Sequence, residues 1–143
     1  MINSDYIRGL IDGEGSFTVY IRDPKNTRKV KRRVTAEPKF YVKLIEKDRL
    51  ILYELQKFFK CGKVYFQKDK RLNHQNCYRY EVFKREDLER VIIPFFKKHS
   101  LCFPSKKKDF NLFCELLHRM KSGEHLNPKK LKVLYAIKQK MHC

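Results

Sequence analysis

Two glycines four residues apart, Gly9 and Gly13, lie in a short apolar segment that ends in an acid between glycines, Gly13-Glu14-Gly15. No other stretch limits the fold of this chain so strongly. At helical spacing the two glycines share a face, and the missing side chains let another backbone come close. Ser4 or Asp5 is available as N-cap for a helix over 5–13, and Gly15 as its stop. Ser16-Phe17-Thr18-Val19-Tyr20-Ile21 then alternates like a strand. Glu14 therefore falls where the chain leaves the helix, at the mouth of the close contact. A carboxylate delivered there by a rigid element suits a hard cation such as Mg²⁺. Taken alone, an acid after a short helix is more often a capping or surface residue, and its glycine frame sets this one apart.

The remaining periodicities predict the architecture. A strand over 16–22 is followed by turn chemistry in Asp23-Pro24-Lys25-Asn26-Thr27. A second strand over 31–44 puts Ala36, Phe40, Val42 and Leu44 on one face, with Pro38 requiring an edge position or a bulge. Asp48 can cap a helix whose apolar stripe is Leu52, Leu55, Phe58 and Phe59 and which ends at Cys61-Gly62. Strands over 63–67 and 78–83 are joined by a polar, basic loop around 68–74. A short helix over 85–93 stops before Pro94. A longer one runs from 104 or 105 to 120 with Phe110, Phe113, Leu117 and Met120 inward, and a last one from 128 to about 141 opens on Pro128. The order α-β-β-α-β-β-α-α-α predicts an α+β fold in one domain, 1–143. A continuous antiparallel sheet would carry helices on one face and leave the other free.

That free face collects Thr18, Tyr20 and Arg22, then Thr35, Glu37, Lys39, Tyr41 and Lys43, then Lys63, Tyr65 and Gln67, then Arg79 and Glu81. Such groups can hydrogen-bond base edges in a major groove wide enough for a β-ribbon. A wet sheet face is the commoner explanation for any single strand, but four strands agree here. The chain carries 34 Lys and Arg against 16 Asp and Glu, a formal charge of +18. An excess this large in a small folded domain favours a polyanionic partner whose binding weakens steeply with salt. Charge alone would fit an RNA-binding structural protein equally well.

Other classes are disfavoured. Eleven Phe and eight Tyr in 143 residues argue against disorder. No apolar run approaches the ~20 residues of a membrane span. Met1-Ile2-Asn3-Ser4-Asp5 lacks the basic start and apolar core of a secretory signal. The five cysteines are odd in number and lack CxxC pairing, which indicates reduced thiols inside a cell rather than a disulfide framework or a zinc site. The five histidines are scattered, and His125 reads as a structural capping group in the Gly123-Glu124-His125-Leu126 turn.

The segment Ile7-Arg8-Gly9-Leu10-Ile11-Asp12-Gly13-Glu14-Gly15 resembles the signature helix of the LAGLIDADG homing endonucleases. So do Lys47-Asp48 leading into Leu52, Leu55 and Phe59, the run Lys106-Lys107-Lys108-Asp109-Phe110, and Ser122-Gly123-Glu124-His125-Leu126. In this order the set spans nearly the whole chain. The resemblance implies a curved antiparallel sheet forming a DNA-binding saddle. It also implies a double-strand endonuclease that leaves 3′ extensions and promotes the mobility of its host intron. One copy of the motif is present, so the implied form is a homodimer with Ile7, Gly9, Leu10 and Gly13 at the interface and a near-palindromic target.

Glu14 stands in the place of the family's metal-binding acid, usually Asp, and with Gly13 would hold Mg²⁺. Mn²⁺ would substitute, and Ca²⁺ would support binding without cleavage. Asp12, the family's other acid, reads as structural, holding the end of the helix. Lys106 is chosen from the triple lysine by its spacing to Phe110, with electrostatic stabilisation of the transition state as its role. Leu44 departs from the polar residue some members carry there, which leaves the ordering of water to Lys43 or Glu46. Asp48 likewise stands where some members have Arg. A second reading keeps the fold without cleavage, as an RNA maturase bound to intron RNA or a DNA-binding regulator. Heavy use of Lys, Phe, Ile and Asn points to an AT-rich genome such as an organelle's.

Overall fold

The computed structural model describes residues 2–25, 35–68, 71 and 75–143. Helix α1 (Ser4–Glu14) runs directly into strand β1 (Gly15–Ile21). Its N-cap is Asn3, whose side chain accepts from the Tyr6 amide at 2.8 Å, rather than Ser4 or Asp5. Strand β2 (Ala36–Ile45) follows, and residues 31–34 of the expected second strand lie outside the described residues. A 3₁₀ turn (Glu46–Asp48) leads into α2 (Arg49–Phe59). Asp48 occupies the N-cap position of α2, but its side chain makes no capping bond there. Strands β3 (Lys63–Gln67) and β4 (Cys77–Val82) complete a single antiparallel sheet in the order β1-β2-β4-β3.

Pro38 illustrates how the register accommodates an awkward residue. It pairs with Val19 on β1, whereas β4 pairs with β2 only from Phe40 onward. At Pro38 strand β2 is thus locally an edge, the position where a missing N–H does least harm. Gly62, at φ 88°, lets the turn after α2 pass close to β4, because a Cβ there would fall 2.6 Å from the Tyr80 ring. The left-handed cap of α2 itself is Lys60, one residue earlier than the expected Cys61-Gly62 stop.

The chain from 85 to 98 does not stop at Pro94. A helical turn α3 (Arg85–Asp87) passes through a π-helical segment (Leu88–Ile92) into α4 (Ile93–Lys98). The Ile93 amide donates to the Leu88 carbonyl five residues back. Pro94 has no N–H and its ring would collide with the carbonyl of Arg90, so the widened turn before it lets the helix continue. Helices α5 (Pro104–Lys121) and α6 (Pro128–Lys138) follow, and α6 is capped by the Asn127 side chain rather than by His125.

All the helices lie over one face of the sheet. Phe17 is the centre of the core between them, with the rings of Phe40, Phe110, Phe113 and Phe96 at 5.1, 5.2, 5.4 and 5.5 Å. Those spacings are the edge-on and tilted contacts aromatic quadrupoles prefer. Leu52, Leu55 and Phe59 of α2 are buried as expected, whereas Phe58 stays at the surface with its edge on Phe95. Phe110, Phe113, Leu117 and Met120 of α5 all face inward.

Candidate active site and nucleic-acid face

The C-terminal end of α1 is where the chemistry-bearing residues converge. Glu14, its last residue, is exposed. The Lys106 amino group, from the first turn of α5, donates to the carbonyl of Gly15. Of the three lysines, Lys106 is the one bonded to the end of α1, at the residue after Glu14, and Lys107 and Lys108 are exposed.

Asp12 explains why α5 arrives there. Its carboxylate is 6% exposed and accepts from Cys102 N at 2.9 and 3.0 Å and from Phe103 N at 3.1 Å. Phe103 is the N-cap of α5 and has no side chain able to cap. An acid from a distant helix serves instead, with its charge at the positive end of the α5 dipole. Asp12 is structural, as expected, but it holds the start of α5 rather than only the end of its own helix.

The helix face bearing the glycines is open. Gly9 and Gly13 are exposed, and a Cβ built on either meets nothing within 4 Å. Tyr6, on the same side, is 48% exposed, and Leu10 is half-buried. Ile7 is different. It is 0% exposed within this chain's own core, so it is not free to meet a partner, and the expected interface loses that residue. Its position in the motif could not distinguish inward from outward, because a helix that packs on both sides is apolar nearly all round.

The outer sheet face is built as the alternation required. The register sets Thr18 opposite Lys39, Tyr20 opposite Glu37, Lys43 opposite Arg79, and Tyr65 opposite Arg79 on the other side. Arg22 donates its backbone N–H to Thr35 just beyond the paired strands. Lys63 and Gln67 lie on the same face of β3, with the Lys63 amino group 5.7 Å from the Phe83 ring. Tyr41 packs under Arg79, whose guanidinium carbon is 3.6 Å from the ring centroid. Glu81, the acid among these cations, lies 3.2 Å from Lys39 Nζ and 3.1 Å from Arg79 Nε. It also accepts the Tyr65 hydroxyl at 2.6 Å. Partial burial and that bond push the Tyr65 phenol up to about 12. The sequence placed Glu81 on this face but gave no sign that it would be its hub.

Leu44 is half-buried toward the core and so cannot order water at the site. Lys43 is exposed on the outer face, and because Val42 pairs with Gly15, the register brings Lys43 level with the end of α1.

The donor set offers a cation half a site. Glu14 supplies one carboxylate, and the last-turn carbonyls, Gly13 among them, lie at the negative end of the helix dipole. No cluster of three or more His, Cys, Asp or Glu side chains occurs among the described residues. A hard divalent ion fits such a place only with a second carboxylate, phosphate or waters.

An open β-sheet face carrying Lys39, Lys43, Lys63 and Arg79, bordered by an acid at a glycine-notched helix end, defines an α+β domain with helices packed on the opposite face. The chain matches the LAGLIDADG endonuclease family over residues 7–117 and belongs to that family. It is 38% identical over 78% of its length to a probable intron-encoded DNA endonuclease of Mycosarcoma maydis, covering 35% of that protein. Its fold superimposes on the homing endonuclease I-TnaI with a TM-score of 0.80 at 33% identity, covering 99% of this chain and 89% of that one. It also superimposes on I-SmaMI bound to an uncleaved DNA target in the presence of calcium ions. There the TM-score is 0.82 at 31% identity, covering 99% of this chain and 45% of that one. The chain spans about a quarter to a third of the curated relatives it matches. Among the described residues no helix is long and apolar enough to cross a membrane.

Proposed function

We propose that this chain is one half of a site-specific DNA endonuclease that cuts both strands of a near-palindromic target at its host intron's insertion point. The observation that carries the reading is the Lys106 amino group bonded to the carbonyl of Gly15, the residue that follows the exposed Glu14, beside an open glycine notch. A pure DNA binder or an RNA maturase needs the basic sheet face but neither of those two groups. A second copy of the chain would pack its α1 against Gly9 and Gly13, with Tyr6 and Leu10 at the seam. That brings a second Glu14 to the two-fold axis and converts the half site into a pair of carboxylates.

The reaction is hydrolysis of a phosphodiester: a water oxygen bonds to phosphorus as the bond to the 3′ oxygen breaks. Glu14, with the carbonyl of Gly13, would hold Mg²⁺, or Mn²⁺ in its place. Bound there, the ion supplies Lewis-acid polarisation of the phosphate and a more acidic water. Lys106, held at the carbonyl of Gly15, would offer its amino group to the charge that builds on the phosphoryl oxygens. Lys43 flanks the same point from β2. Thr18, Tyr20, Arg22, Thr35, Glu37, Lys39, Tyr41, Lys63, Tyr65, Gln67 and Arg79 offer the groups that contact the groove. The protein would act wherever its intron resides, an organelle being consistent with the two fungal sources of its relatives.

The test is to incubate the protein with duplex DNA spanning the uninterrupted insertion site. Cleavage on both strands is expected with Mg²⁺ and binding without cleavage with Ca²⁺. Glu14→Gln should bind and not cut. Cleavage by that variant at the wild-type rate would overturn the assignment.

A further inference from the structure

A carboxylate sits in the middle of a face otherwise suited to a polyanion. Glu81 is 8% exposed, and both of its oxygens are engaged, one by Lys39 and the other by Arg79 and the Tyr65 hydroxyl. It is therefore closed to a base edge and cannot itself read cytosine. What it can do is fix its neighbours. Arg79 is clamped between Glu81 and the Tyr41 ring, and its Nε is fully covered and poorly aligned for a hydrogen bond. The Arg79 side chain remains 19% exposed on this face, and a fork of two donors there is the part of it suited to a ligand.

We propose that Glu81 is a positioning residue that locks Arg79 as the reader of one guanine in each half of the target, at the expense of affinity for random DNA. The proposal rests on the DNA-binding reading above and deepens it. Three physical arguments carry it. An arginine already stacked and ion-paired loses little rotamer freedom on binding, so its contact favours the base that fits the fork. Guanine is that base, because its O6 and N7 accept a bidentate pair in the major groove. Finally, Glu81 cancels positive charge at the centre of the face, which lowers counterion release with any duplex whatever its sequence.

The register also locates the guanine. Arg79 pairs with Lys43, the residue after the one that pairs with Gly15. Arg79 is therefore two strand spacings from the end of α1, about 10 Å. That distance is about three base-pair steps of duplex. The guanine should lie within about three base pairs of the phosphate that Glu14 meets.

The experiment selects duplexes from a randomised library in Ca²⁺ with the wild-type protein and sequences them. Affinities are then measured for the selected duplex, the same duplex with the guanine replaced, and a random-sequence duplex over a range of salt. Wild type should enrich one guanine per half-site and lose about tenfold or more in affinity when it is replaced. Glu81→Gln should bind the random duplex more tightly, with a logarithmic salt slope steeper by about one, and its penalty for replacing the guanine should fall below about threefold. Arg79→Lys should lose the guanine preference, because an ammonium cannot form the bidentate pair. Tyr65→Phe removes one hold on Glu81 without changing any charge, so it should lower the guanine penalty while keeping the wild-type salt slope, and it carries the guanine test if Glu81→Gln melts early. An unchanged guanine penalty in Glu81→Gln and Tyr65→Phe overturns the proposal while leaving DNA recognition standing. A wild-type protein that binds no duplex overturns both.

Discussion

Asp12 and Glu14 are two residues apart on one helix and should fail in opposite ways. Asp12→Ala removes the acceptor for the Cys102 and Phe103 amides, which it binds at 2.9 to 3.1 Å. A buried donor left without its partner costs about 1–3 kcal/mol. The side chains of Cys102 and Phe103 are exposed, so water can reach part of the gap and the lower half of that range applies to each. Two amides then give a loss of about 2–4 kcal/mol. For a domain of this size that corresponds to a melting temperature lower by about 6–15 °C. Asp12→Asn keeps one oxygen and turns an N–H toward an N–H, so about half of that loss is expected.

Glu14→Gln should leave the melting temperature within the ~0.5 kcal/mol spread of ordinary surface changes, because the side chain is exposed and has no partner among the described residues to lose. If two copies meet at α1, the variant also removes a like-charge pair and should associate at least as tightly in the absence of metal. Its cleavage rate should fall by ~10²-fold or more, as expected for removing a group that stabilises the transition state. Circular dichroism melts at fixed concentration, paired with single-turnover cleavage, separate the two behaviours. Asp12→Asn should cut more slowly too, since the start of α5 carries Lys106, but only together with its loss of stability. An Asp12→Ala protein that melts with the wild type, or a Glu14→Gln protein that melts early, would refute the division of labour between the two acids.

Lys106→Ala should slow cleavage by ~10²-fold with affinity in Ca²⁺ nearly unchanged, whereas Lys107→Ala and Lys108→Ala should cut at close to the wild-type rate; quench-flow assays of the three compare them directly. Gly9→Leu adds a side chain into open space, so the isolated chain should gain up to ~1 kcal/mol of helix propensity while sedimentation shows loss of self-association. His125 is held below its ordinary value by burial and by the nearby Arg85, and its buried Nδ1 has no partner among the described residues. A folded-state value below the unfolded one means the unfolded chain binds the proton first as pH falls. The contribution is therefore fully present above about pH 6.5 and lost below it, and the drop in melting temperature from pH 7.5 to 5 should be smaller in His125→Gln than in wild type.

The parts of this molecule legible from the sequence are those that depend on local order. Alternation in β1 and the helical stripe of α5 each set a face, and burial follows the β1 alternation residue by residue, whereas in β3 it breaks at Phe66, which is exposed. The failures share a different cause. Pro94 predicts a stop because its local effect is to break an α-turn, but a π-turn of five residues lets the helix carry Phe95 and Phe96 into the aromatic core. Packing of two rings outweighed one strained turn. The motif around Ile7 is apolar on both sides, so it suggests an interface residue, and only the packing beneath α1 decides which side is inside.

The site follows the same division. Glu14 and the glycine notch are encoded within nine residues, so pattern alone finds them. The partners that give those residues meaning lie about ninety positions away: Lys106 on the Gly15 carbonyl and the Cys102 and Phe103 amides on Asp12. Contacts of that sequence separation leave no periodic trace, because neither partner's neighbours need be polar. The charge count likewise predicts a polyanion, but it cannot show that Glu81 lies within reach of two of those cations and a phenol. A basic face organised around one buried acid would owe its discrimination to that acid, and a face of free lysines would not. A sequence with the same composition and Glu81 moved to a solvent-exposed helix should therefore bind DNA tightly and choose among targets poorly.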